Sequence, residues 1–145
     1  MCAHAVDEGL LVLHRCSGRG HPCPLGKVGD GQLLAFFRRD ASGRIVAGIC
    51  GNTWGGVCEI RQFWVEPSQR HRGLGTELFQ AAEQEARRRG CTQILLMTFS
   101  FQAPAFYERN GFQVVATIAD HPRGHRNLLM RKRLDVGQEP ATRPA

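Results

Sequence analysis

Apolar residues recur every four positions at Leu74, Leu78, Ala82 and Ala86, the spacing of one helical face, while Glu83 and Glu85 fall outside that stripe. The pattern predicts a helix over residues 73–89. Arg87, Arg88 and Arg89 occupy its last turn, where cations complement the helix dipole, and Gly90 follows as its stop. Elsewhere the pattern is that of strands. "QLLAFFRR" (32–39) and "IVAGIC" (45–50), joined by the Gly-containing "DASGR", read as a β-hairpin. "VCEIRQFWV" (57–65) reads as a third strand, rich in β-branched and aromatic residues and ended by Pro67. "QILLMTF" (93–99) is an unbroken apolar run, as expected of a strand buried on both faces. A short helix over 104–110 starts with Pro104 in its first turn and closes at Gly111. "FQVVATI" (112–118) and "NLLMRKRL" (127–134) complete the sheet. Strands that alternate with helices only in mid-chain, between antiparallel candidates, imply a mixed α/β sheet flanked by helices.

Both ends are less patterned. Residues 6–15 form a short helical candidate, followed by the Gly/Pro-rich "CSGRGHPCPLGKVGDG", which resists regular structure. Residues 135–145 lack apolar anchors and read as a loose tail. The whole chain, 1–145, is expected to be one domain, large enough to bury a core without disulfide or metal staples.

Composition narrows the class without naming a function. The chain is 42% hydrophobic and 22% charged, and no apolar run approaches the roughly 20 residues needed to cross a bilayer. The first residues carry Asp7 and Glu8 ahead of only a short apolar run, unlike a signal peptide, so the chain reads as cytoplasmic with its six cysteines reduced. A net charge of +6 favours a polyanionic partner, a condition that nucleotide cofactors, nucleic acids and anionic membranes all meet.

The stretch "SQRHRGLGTELFQ" (68–80) concentrates positive charge and glycine where the long helix begins. The first turn of a helix directs unpaired N–H groups outward and carries a partial positive charge, so an anion is well received there. Gly73 and Gly75 lack Cβ atoms, which lets a phosphate approach the main chain. A nucleotide-hydrolysing P-loop would read GxxxxGK followed by Ser or Thr, and the lysine and hydroxyl are missing.

The Arg-x-x-Gly-x-Gly spacing of Arg70, Gly73 and Gly75, after a strand ending in "WVEP", resembles the acetyl-coenzyme A loop of the GNAT family of N-acetyltransferases. "AFYERNGF" (105–112) is similar to the family's later segment, in which a small helix carries a Phe-Tyr pair. "TFSFQAPAFYERNGF" and "HPRGHRNLLMRKRL" resemble a recurring group of small bacterial members. The resemblance spans residues 32–134. It implies the acyl-CoA N-acyltransferase fold, with an N-terminal part shortened before residue 30, and acetyl transfer from acetyl-coenzyme A to a primary amine in a ternary complex, without a metal. It further implies that the backbone at Phe63, Trp64 and Val65 holds the pantetheine arm. Arg70, His71, Arg72, Gly73, Leu74, Gly75 and Thr76 would cradle the diphosphate, Ser100 would touch the cofactor, and Tyr107 would be the general acid. Three positions depart from the pattern. His71 stands where glycine is common, and Arg61 and Gln62 stand where acidic residues are common.

An alkyl amine with a pKa near about 10 is almost wholly protonated at neutral pH and must lose a proton before attacking a thioester. Glu59 is the first candidate for that base, with Glu66 the weaker alternative beside Pro67. The acceptor is expected to be a small-molecule or peptide amine, with the shortened front of the fold shared with a second subunit as one way to complete its site. Competing readings stay open. One is a catalytically silent coenzyme A sensor or interaction module. Another is a zinc module built from Cys2-x-His4, His14-x-Cys16 and His21-x-Cys23, whose one-residue spacing departs from ordinary zinc ligands. A nucleic-acid binder would use Arg87, Arg88, Arg89 and the basic run 131–133, but these lack interleaved aromatics and read as solvated charge.

Overall fold

The alternation in the first hairpin puts Leu34, Phe36, Ala47 and Ile49 on one face, where all four are buried. Its turn is set locally: Asp40 Oδ1 accepts the N–H groups of Ser42 at 2.9 Å and Arg44 at 3.0 Å, and Gly43 supplies a φ of 84°. A computed structural model of the chain describes residues 2–7 and 10–14 in backbone and residues 31–134 in full. The strands are β1 (Cys2–Asp7), β2 (Leu10–His14), β3 (Gln32–Arg39), β4 (Ile45–Trp54), β5 (Val57–Val65), β6 (Gln93–Phe99), β7 (Gln113–Ala119) and β8 (Arg126–Arg133), with helices α1 (Leu74–Arg88) and α2 (Pro104–Arg109). These strands form one sheet in the order β1-β2-β3-β4-β5-β6-β8-β7. Every neighbouring pair is antiparallel except β5 with β6. This is the mixed, mostly antiparallel α/β architecture the sequence implied.

Helix α1 buries Leu78, Phe79, Ala82 and Ala86 against the sheet, three of them members of the expected four-residue stripe. Each fully buried Leu or Phe in such a face contributes about 2 kcal/mol. The same core takes in Cys58 and Ile60 from β5, Ile94 and Leu96 from β6, and Leu128 and Met130 from β8. Cys58 and Cys91 lie inside it, and burial pushes the Cys58 thiol up to about 12, so it stays an inert thiol.

Three expectations need correction. The helix expected over 6–15 is replaced, where the chain is described, by strand: Cys2–Asp7 and Leu10–His14 are paired antiparallel, because Leu10, Leu11 and Val12 find the open edge of β3 at Arg38, Phe37 and Phe36. A short apolar run has no period of its own, and the available edge decides. Strand β6 is not buried on both faces. Ile94, Leu96 and Thr98 are buried on the helix side, while Met97 on the opposite side is 55% exposed. The third concerns charge. Arg89 is not solvated, since its guanidinium reaches Glu85 Oε1 at 2.7 Å, Thr53 Oγ1 at 3.1 Å and the Leu33 carbonyl at 3.1 Å. The Gly/Pro-rich stretch and the expected tail at 135–145 lie outside the described residues.

The basic end of α1 carries a pH prediction. Partial burial pushes the Glu85 carboxyl up, but hydrogen bonds from Arg88 and Arg89 more than offset it and hold it at about 2, below the usual 4.5. A depressed carboxylate stabilises the fold above its unfolded value and loses that contribution as pH falls through the folded value. Stability is therefore expected to fall between pH 4.5 and about 2. Glu85→Gln should lose about 2 kcal/mol at neutral pH, much less near pH 2, in urea melts across that range.

Candidate active site

The site begins with a misalignment in β5. Gly51 pairs with Ile60 and Cys50 with Gln62, so Arg61 is an extra residue on β5. A β-bulge of this kind reverses the side-chain alternation beyond it. Before it, Cys58 and Ile60 face the core. After it, Phe63 and Val65 do so instead, leaving Gln62 and Trp64 on the opposite side. Gly51 permits the kink, because a Cβ there would overlap the Glu59 carbonyl. Parallel pairing of β5 with β6 covers only residues 57–60 against 93–96. Beyond Ile60 the edge of β5 that faced β6 has no strand beside it among the described residues. A gap therefore opens next to Phe63, Trp64 and Val65, the residues expected to hold the pantetheine arm.

The basic loop lies at the end of that strand. Pro67–Gln69 form a 3-10 turn, and Arg70 folds back so that its Nε donates to the Val65 carbonyl at 3.1 Å. His71 adopts φ 60° and Gly73 φ 81°. A left-handed conformation costs a non-glycine residue roughly 1–2 kcal/mol, so histidine here takes the shape that glycine would take freely. Gly73 caps α1 without a side-chain bond. The first backbone bond into the helix runs from Glu77 N–H to the Gly73 carbonyl at 3.0 Å, and among the described residues the amides of His71, Arg72, Gly73, Leu74, Gly75 and Thr76 donate to no carbonyl. Exposed, unpaired amides beside Arg70 and Arg72 fit a diphosphate. Gly75 also has a packing reason to be glycine. A Cβ there would lie 2.9 Å from the Phe106 ring and 3.0 Å from the Phe63 ring, so its missing side chain lets α1 pack on them.

Tyr107 sits at the inner end of the gap, inside a cage formed by Phe63, Phe79, Phe106 and Phe112 with centroid distances of 5.4 to 6.3 Å. Burial raises its pKa, and a hydrogen bond with Thr98 opposes that rise. The phenol therefore keeps its proton at neutral pH, as an acid must. A cleft of about 440 Å³ connects Tyr107 and Phe63 with Phe37, Cys50, Gln62, Trp64 and Met97 on the open face of the sheet. The Cys50 thiol donates to Gln62 Oε1 at 3.6 Å.

Other expected residues are not brought to this cleft. Glu59 lies on β5 before the bulge, and Arg61 engages its Oε2 at 3.1 Å. Glu66 pairs with Arg44 at 3.1 Å. Ser100 is tied to β8, its N–H donating to the Arg126 carbonyl at 2.9 Å and its Oγ accepting the Arg126 N–H at 3.1 Å. No three His, Cys, Asp or Glu side chains converge among the described residues, and the proposed zinc pairs fall where side chains are not described. Sequence reasoning missed Thr98, Gln102 and the bulge. The adjacent polar pair Arg61-Gln62 between the apolar Ile60 and Phe63 was the signal for the bulge, since it breaks a two-residue period.

Comparison with known proteins identifies the family. Residues 7–112 match the acetyltransferase (GNAT) family. The chain is 36% identical over 104 residues to the blasticidin-S acetyltransferase of Streptomyces morookaense, covering 71% of this chain and 76% of that protein. The crystal structure of an acetyltransferase from Bacillus cereus superposes with a TM-score of 0.69 at 35% identity, over 71% of this chain and 74% of the other. An aminoglycoside 6′-N-acetyltransferase crystallised with coenzyme A shares the fold, with a TM-score of 0.65 at 21% identity over 78% and 76% of the two chains. The match over residues 7–112 and the likeness to a named acetyltransferase show that the chain belongs to the GNAT acetyltransferase family.

Proposed function

We propose that this chain moves an acetyl group from acetyl-coenzyme A to a primary amine by direct attack within a ternary complex. The observation that carries the reading is the row of unpaired amides at residues 71–76, together with the open edge of β5 and with Tyr107 in the cleft beside Phe63 and Trp64. The amides and Arg72 hold the diphosphate, and the pantetheine arm adds to the free edge at Phe63, Trp64 and Val65. The thioester then lies in the cleft. The amine nitrogen attacks the carbonyl carbon, a strand N–H receives the developing oxyanion, and the C–S bond breaks. Tyr107 gives its proton to the departing thiolate. Glu59 Oε1, which has no partner among the described residues, takes the amine's proton through water. The coenzyme A bound to the structural neighbour supports the donor, and the name of the Streptomyces relative makes blasticidin S the first acceptor to assay.

Calorimetric titration with acetyl-coenzyme A, followed by thiol release against blasticidin S and pooled amines, tests the proposal. Saturable binding with amine-dependent thiol release is the expected result. Failure to bind at millimolar coenzyme, or binding with no turnover on any amine, would sink it.

A further inference from the structure

The bulge in β5 puts two consecutive polar side chains on the open face of the sheet. Gln62 lies there beside Cys50, and Arg61, the extra residue, reaches the next row, where Asn52 and Glu59 oppose each other across β4 and β5. Its Nε donates to Asn52 Oδ1 at 3.0 Å and its Nη2 to Glu59 Oε2 at 3.1 Å. These two nitrogens form one edge of the guanidinium, and the two bonds fix its plane. The other edge, Nη1 with the second N–H of Nη2, has no partner among the described residues. Arg61 also lines the cleft, and among the lining residues it is the only arginine, lysine, aspartate or glutamate. The walls near it are apolar. They are Ile45, Trp64, Met97 and Phe37, whose ring lies so close over Gly48 that a Cβ there would meet it at 2.9 Å.

We propose that Arg61 is a specificity-determining residue, and that the acceptor is an amine which also carries a carboxylate on an apolar body. The inference rests on the reading of the cleft as the place of acetyl transfer. The acceptor's carboxylate takes the unpaired edge of Arg61 in a bidentate pair, a geometry that a guanidinium offers and an ammonium does not. The guanidinium then stands between that carboxylate and Glu59, so the two anions are kept apart. The apolar body covers Trp64 and Met97, which are 47% and 55% exposed in the unliganded chain. A neutral ester of the same body keeps the apolar contact and loses the charged pair. Charge therefore does the choosing, and the apolar walls supply affinity common to acid and ester.

Thiol release with matched pairs of amines tests the assignment. Phenylalanine, β-phenylalanine and para-aminomethylbenzoate, each set against its methyl ester, differ in the span between amine and carboxylate. For at least one pair, Arg61→Gln is expected to lower the acid-to-ester ratio of kcat/KM about tenfold, through the KM of the acid, because a charge-assisted bidentate pair is removed. Arg61→Lys keeps the charge without the fork and should retain only part of the ratio. A change common to acid and ester reports on Glu59, which the same guanidinium holds, so the ratio is the quantity read. Calorimetric titration with acetyl-coenzyme A checks that each variant is folded with its cofactor site intact. If Arg61→Gln lowers the ratio in no pair, Arg61 does not select the acceptor and the proposal is overturned. Absence of turnover with these and with the pooled amines would instead retire acetyl transfer itself, a separate result.

Discussion

Gly51→Ala is expected to destabilise this chain by about 3 kcal/mol and to abolish acetyl transfer in whatever fraction remains folded. The added methyl would overlap the main-chain carbonyl of Glu59, a group that cannot rotate aside, so β4 and β5 must separate or the bulge must be lost. Losing the bulge would restore simple alternation beyond Ile60. Gln62 and Trp64 would then turn toward the core and Phe63 and Val65 away from it. That exchange buries polar Gln62 and removes Phe63 from the rings around Tyr107. Gly48→Ala is the graded comparison. A Cβ there would lie 2.9 Å from the Phe37 ring, a side chain that can yield, and the expected cost is about 1 kcal/mol. Urea melts of both variants, with thiol release measured on the folded protein, check the contrast. Equal costs for the two would mean that the Glu59 carbonyl does not constrain position 51.

Tyr107→Phe is expected to lower kcat about 100-fold, the ordinary contribution of a positioned acid, while changing the affinity for acetyl-coenzyme A by less than about twofold. The split follows from the geometry. In the proposed mechanism the diphosphate is held at residues 71–76, and the phenol, which lines the cleft, acts only on the sulfur. The ring itself stays, so the aromatic cage is preserved and stability should change by no more than about 1 kcal/mol. Because burial raises the Tyr107 pKa, the wild-type rate should not lose its acid until pH rises above the ordinary tyrosine range, and the variant should lack that alkaline limb. Steady-state rates against pH, with both substrates varied, separate these effects. A variant with unchanged kcat would exclude Tyr107 as the proton donor.

The parts of the fold that the sequence made legible were those whose pattern is local. The stripe at Leu78, Ala82 and Ala86 needs only its own helix to be recognised, and the turn at Asp40 to Arg44 carries its hydrogen bonds within itself. The strands at Cys2–Asp7 and Leu10–His14 were illegible because their conformation depends on an edge supplied by Phe36, Phe37 and Arg38, far along the chain. The burial of Arg89 was hidden for the same reason, as Glu85 is near in sequence but Leu33 and Thr53 are not. At the site, Arg70, Gly73 and Tyr107 stood in recognisable motifs, whereas the hydrogen bond from Thr98 Oγ1 to Gln102 Oε1 depends on how the chain turns after β6. The packing reason for Gly75 was not legible, because the rings that exclude a side chain there arrive from β5 and α2.

The strand Gln113–Ala119 is exposed along its whole length, ends the sheet, and carries no charge or proline, only the register shift between Val114 and Ala116 to disturb its edge. Such a border invites other chains to zip onto it. Concentrated preparations of this protein are consequently expected to self-associate there, and Thr117→Lys, outside the cleft, should reduce it.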